Sequence, residues 1–153
     1  MMAAPHCLVI GYGNTLRRDD GVGVEVAQTI AALDLPGVQV ITRQQLVPEL
    51  AEPISKADAV IFVDADVAAT HPELRPLEAA SEGQTFAHAA NPRSLLALSK
   101  EVFGGTPNAW SLAVPVEDLS FGFGLSPRSE KGLGAAVKRI QRLAAGLQKL
   151  HSE

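Results

Sequence analysis

The chain has 153 residues, 46% of them hydrophobic, so we expect one domain, 1–153, with enough apolar surface for a proper core. Lys and Arg total 13 against 17 acids, a formal charge of −4 with no basic tract, which argues against nucleic acid as a partner. The first apolar run ends at Gly11 with no charged segment ahead of it, too short for a signal peptide or a membrane span, so a soluble, cytoplasmic protein with no membrane partner is expected.

Cys7 to Ile10 is continuously apolar and is released by Gly11-Tyr12-Gly13, the pattern of a strand buried on both faces. Cys7 is the only cysteine, so an intrachain disulfide and multi-thiolate metal cages are excluded, and it reads as a small core hydrophobe. Oxygen and imidazole remain as metal ligands. Val22, Val26, Ile30 and Leu33 recur at helical spacing behind Asp19 and Asp20, which suit a helix N-terminus, so a helix is predicted from about Asp20 to Leu33. Pro36-Gly37 breaks the chain before a second strand, Val38 to Thr42, and a short helix spans Pro48 to Ser55.

Ala59 to Val63 is another continuous apolar run, and it ends in Asp64-Ala65-Asp66. Glu73 to Glu78, interrupted by Pro76, fits an edge strand. Asn91-Pro92 has the form of a cap plus a proline at the first helical position, with the helix running through Leu95, Leu96, Leu98 and Val102 to Gly104. Ala109 to Val114 is a further strand, and Ser126-Pro127 starts a terminal helix with Leu133, Val137, Ile140, Leu143, Leu147 and Leu150 as its buried stripe. Alternating strands and helices imply a three-layer α/β/α domain around a mainly parallel, mixed sheet of about five strands.

A strand, Gly11-Tyr12-Gly13 and a helix invite a dinucleotide-binding reading, but Leu16 stands where the third glycine belongs. The second strand ends in Thr42, Arg43 and Gln44 rather than an acid, and Asp19-Asp20 would oppose a pyrophosphate. Carboxylates suit a cation instead. Asp20 and Asp64 each follow a predicted strand, and open α/β sheets bind ligands outside the carboxyl ends of their strands, so the two should converge. Asp19 reads as the helix-cap residue.

Two carboxylates and an imidazole would give a three-ligand set suited to zinc or nickel. His6 precedes the first strand at its amino end, and His151 lies in the tail. His88, in the loop leading into the Asn91-Pro92 helix, is preferred over His71 as the third member.

The segments GYGNTLRRDDGVG, VIFVDADV and VPVEDLSFGFGLSP, which together span most of the chain, resemble the hydrogenase maturation endopeptidases, the proteins that trim the C-terminus of nickel-iron hydrogenase large subunits. The resemblance implies a metal-binding cleft of Asp20, Asp64 and His88, acting as both metal ligands and catalytic residues. Many family members carry glutamate where this chain has Asp20, with the same ligand chemistry. It further implies a single cut that removes the C-terminal extension of a large-subunit precursor after nickel insertion, with the nickel supplied by the substrate, a metal-free resting enzyme and no organic cofactor. Ser111, Ser120 and Ser126 lack a nucleophile-elbow context and Cys7 lies at the wrong end of its strand, so serine or cysteine protease chemistry is not expected. The alternative is a non-catalytic maturation chaperone that binds nickel or the large subunit and cuts nothing.

Overall fold

The computed structural model describes residues 6–81 and 91–152. Five strands form one sheet: β1 (Cys7–Tyr12), β2 (Val38–Arg43), β3 (Ala59–Asp66), β4 (Glu73–Leu77) and β5 (Asn108–Pro115), in the order β2-β1-β3-β5-β4. β1, β2, β3 and β5 run parallel, and β4 pairs antiparallel with β5 at the edge. Pro76 sits in that edge strand, where its missing N–H costs no interior ladder bond.

Side chains alternate across the central strands. Val9, Ile61 and Val63 pack with Val22, Val26 and Ile30 of α1 (Val22–Ala32) and with Ala136, Val137 and Ile140 of α4 (Pro127–Ser152). Leu8, Ile10, Val60 and Phe62 turn the other way, onto Ile54 of α2 (Ala51–Lys56) and Leu95 and Leu96 of α3 (Pro92–Leu98). Two helices therefore cover each face, giving the expected three-layer α/β/α arrangement with a mixed sheet. Cys7 lies within the first core, where burial pushes its thiol up to about 11, as a structural cysteine behaves.

The predicted elements are present, with three local differences. The first helix starts at Val22 rather than Asp20, because Arg18–Gly21 forms a 3-10 turn entered through the left-handed Arg18, with φ of 44°. The third helix becomes a π-helical turn over Ser99–Phe103 and ends at the left-handed Gly104, which leaves Val102 exposed. Leu150, expected in the buried stripe of α4, is 71% exposed, because the helix pattern continues past the packed part of the molecule. Both predicted caps form: Asn91 Oδ1 accepts from Ser94 N–H at 2.9 Å, and Ser126 Oγ accepts from Ser129 N–H at 3.2 Å. Among the described residues no helix is long and apolar enough to cross a membrane.

Candidate active site

β1 and β3 are neighbours at the centre of the sheet, yet the chain leaves β1 for β2 on one side and reaches β5 from β3 on the other. The crevice outside their carboxyl ends is therefore the topological switch point, the place where ligands bind in open α/β sheets. Asp64 lies within the carboxyl end of β3, and Asp20 lies in the turn that follows β1. The glycines of the first segment bring the two close. A Cβ on Gly23 would collide with the carbonyl oxygens of Val63 and Tyr12, so only a bare Cα lets the start of α1 sit against both strand ends. Gly13, at φ of 142°, likewise leaves room for the Asp20 carbonyl.

Asp20 is partly buried, and its Oδ2 accepts from the Asn14 N–H at 2.8 Å, which fixes the carboxylate over the β1 turn. Asp64 Oδ2 accepts from the Tyr12 hydroxyl at 3.1 Å, and Oδ1 accepts from the Ala65 N–H at 2.8 Å. Burial raises the Asp64 carboxyl above its ordinary range; the bonds from Ala65 and Tyr12 oppose this, while the negative charges of Asp20 and Asp66 reinforce it. Burial and the Asp64 carboxylate also push the Tyr12 hydroxyl upward, so it stays protonated and donates. The negative charge of Asp20 near the partly desolvated Asp64 makes the crevice a receptive place for a cation.

Asp19 does not cap the first helix. It is fully buried and reaches across to the loop after β5: Oδ2 accepts from the backbone N–H of Glu117 and of Asp118, each at 3.0 Å, and from the Ser126 hydroxyl at 2.7 Å, while Oδ1 accepts from the Ser126 N–H at 2.7 Å. Burial alone would raise its carboxyl, but these bonds outweigh burial and hold it at about 2. Sequence reasoning also missed Tyr12. Its signal lies in the register: Gly11 of β1 stands opposite Val63 of β3, so the next residues along are Tyr12 and Asp64.

His88 lies outside the described residues. The described residue nearest it in sequence, Asn91, opens α3 on the sheet face against which Tyr12 packs. His71 lies in the loop after β3, 71% exposed, with Nε2 3.8 Å from Glu73 and Nδ1 3.1 Å from the Thr70 hydroxyl. His6 sits at the amino end of β1, where its N–H donates to Asp58 Oδ2 at 2.8 Å, far from the crevice as expected. Among the described residues no three His, Cys, Asp or Glu side chains are placed to hold a metal, so Asp20 and Asp64 come without a described third ligand. The Ser126 hydroxyl is occupied by Asp19 and by the cap of α4, a structural role rather than that of a nucleophile. Beside the Asp20 turn, a cavity of about 250 Å³ opens between the carboxyl ends of β1 and β2, lined by Asn14, Thr15, Leu16, Thr42, Arg43 and Gln44.

Neither a protein-family model nor a curated protein matches the chain by sequence. Solved structures do match by shape. The hydrogenase maturating endopeptidase HybD from E. coli superimposes with a TM-score of 0.66 at 22% identity, covering 88% of this chain and 89% of that one. The fold is that of the hydrogenase maturation endopeptidases. A hydrogenase 2 maturation peptidase from Thaumarchaeota archaeon SCGC_AB-539-E09 gives 0.67 at 22% identity over 93% of this chain and 99% of that one. The [NiFe] hydrogenase maturation protease HybD from Thermococcus kodakarensis gives 0.65 at 19%, over 91% and 99%. The maturation-endopeptidase fold thus extends over nearly the whole chain, and the Asp20–Asp64 crevice sits at its switch point.

Proposed function

We propose that this chain is an endopeptidase that removes the C-terminal extension of a nickel-iron hydrogenase large-subunit precursor after nickel insertion. The observation that carries the reading is the pairing of Asp20 and Asp64 at the switch point of a fold shared with hydrogenase maturation peptidases. In this reading His88 is the third member of the site, and the nickel arrives with the substrate, so the resting enzyme holds no metal.

Cutting a peptide requires a polarised carbonyl and an activated water, and a divalent ion held by carboxylates supplies both. The chain's own residues then have definite tasks. Asp20 and Asp64 grip the cation, whose charge relieves their repulsion; Tyr12, kept protonated, orients Asp64; and Asn14 N–H orients Asp20. The cavity beside Asn14 and Arg43 accommodates the polypeptide flanking the scissile bond. The protein acts, in this account, as a soluble cytoplasmic enzyme of one domain.

The test is to incubate the purified protein with nickel-loaded and nickel-free precursor and to follow the precursor by intact mass. Loss of the C-terminal extension from the nickel-loaded form alone is expected. A stable complex with unchanged precursor mass would establish the chaperone instead. Metal analysis of protein purified without added metal should find no bound ion; one tightly held ion per chain would overturn the claim that nickel comes only with the substrate, and zinc would become the leading cofactor.

A further inference from the structure

The loop after β5 carries Phe121 and Phe123, which are 83% and 77% exposed, and Leu16, on the turn after β1, is 51% exposed. Two phenylalanines so fully open to water on one loop are unusual on a protein surface. The loop is nevertheless fixed. Gly122 N–H donates to the Leu16 carbonyl at 2.9 Å and its carbonyl accepts from Arg18 N–H at 3.1 Å; the Arg18 side chain donates to the Phe123 carbonyl at 3.1 Å. Gly122, between the two aromatics, holds a φ of 142°, a conformation that favours glycine, with the Arg18 guanidinium packed beside its Cα. Asp19 secures the loop from beneath with its four accepted bonds.

We propose that Leu16, Phe121 and Phe123 form a preorganised docking surface for the folded body of the precursor protein whose C-terminal tail enters the crevice, a proposal that rests on the endopeptidase reading. Continuity with the crevice selects this occupant. The turn that bonds to the aromatic loop through residues 16–18 is the one that carries Asp20 two residues later, so a protein-sized substrate with its tail at Asp20 must lie against this loop. A loop whose backbone is already fixed by these bonds loses less conformational entropy on binding than a free one.

The experiment measures the dissociation constant of nickel-loaded precursor for wild type, for the Phe121→Ser/Phe123→Ser double variant, and for Val102→Ser. Val102 is an exposed apolar side chain that precedes β5, at the opposite end of the sheet. Loss of two central aromatic anchors should weaken binding by at least about tenfold, with an unchanged melting temperature and an unaffected Val102→Ser control. Equal binding by the double variant overturns the docking surface, as does a wild-type dimer in sedimentation that the double variant abolishes, since the occupant is then a second copy. A wild type that binds precursor without cutting it removes the endopeptidase reading while leaving the surface standing. One that cuts precursor while the double variant binds it equally well removes the surface alone, and one that binds no precursor removes both.

Discussion

Replacing Asp19 by alanine takes a fully buried carboxylate away from four donors: the N–H groups of Glu117, Asp118 and Ser126 and the Ser126 hydroxyl. Holding the carboxyl at about 2 rather than the 3.8 of an unperturbed aspartate corresponds to about 2 kcal/mol of stability at neutral pH. The stranded donors add the cost of burial without partners, so the total loss should be about 3–4 kcal/mol. For a chain of this length that is a fall in melting temperature of roughly 6–16 °C. The pH dependence has a fixed sign. Because the folded-state value is depressed, the contribution is complete above the unfolded value near 3.8 and is lost as the pH falls through the folded value near 2. Urea unfolding of wild type and Asp19→Ala should therefore show nearly the same gap at pH 7 and pH 4 and a clearly smaller one at pH 2.5. A gap under about 1 kcal/mol at pH 7, smaller than a typical loss for a buried charged partner, would refute the stapling role, as would a gap that stays constant down to pH 2.5.

Asp64→Asn should abolish cleavage yet leave the protein at least as stable as wild type at pH 7, because a carboxyl raised in the folded state is most unfavourable there when ionised and becomes less so as the pH falls; thermal melts paired with precursor cleavage check both halves. Gly23→Ala should cost about 2–3 kcal/mol by overpacking and lower activity with it, since the methyl collides with the Val63 carbonyl and lifts α1, with Asp20, from the strand ends; denaturant unfolding gives the first quantity and cleavage rate the second. Asn91→Ala should lose about 1 kcal/mol through the cap of α3, visible as a small drop in the urea midpoint.

The sheet was legible because its central strands are uninterrupted apolar runs, CLVI and AVIFV, each buried on both faces and each released by a recognisable turn or acid. The placement of Asp64 at the carboxyl end of β3, and of Asp20 in the turn beyond β1, was legible for the same reason, since each acid stands at or past the end of a doubly buried strand. Asp19 was misread because an acid just before a helix has the local form of a cap, whereas its partners lie about 100 residues later, a pairing that depends on how the loop after β5 folds back. The exposed end of α4 escaped for a related reason: helical periodicity records which side chains share a face, and Leu150 keeps that face beyond the last residue the helix packs against. Tyr12 required knowledge that β1 and β3 are neighbours, which strand order alone supplies.

The most direct test of the central claim, that Asp20 and Asp64 form one site, is the single-turnover rate of nickel-loaded precursor cleavage by wild type, Asp20→Asn, Asp64→Asn and the double variant. Residues that act as a unit are strongly non-additive. Each single variant should lose at least about 100-fold, and the double variant should lose little more than the worse single. Wild-type rates in either single variant, or losses that multiply as for independent positions, would contradict the account.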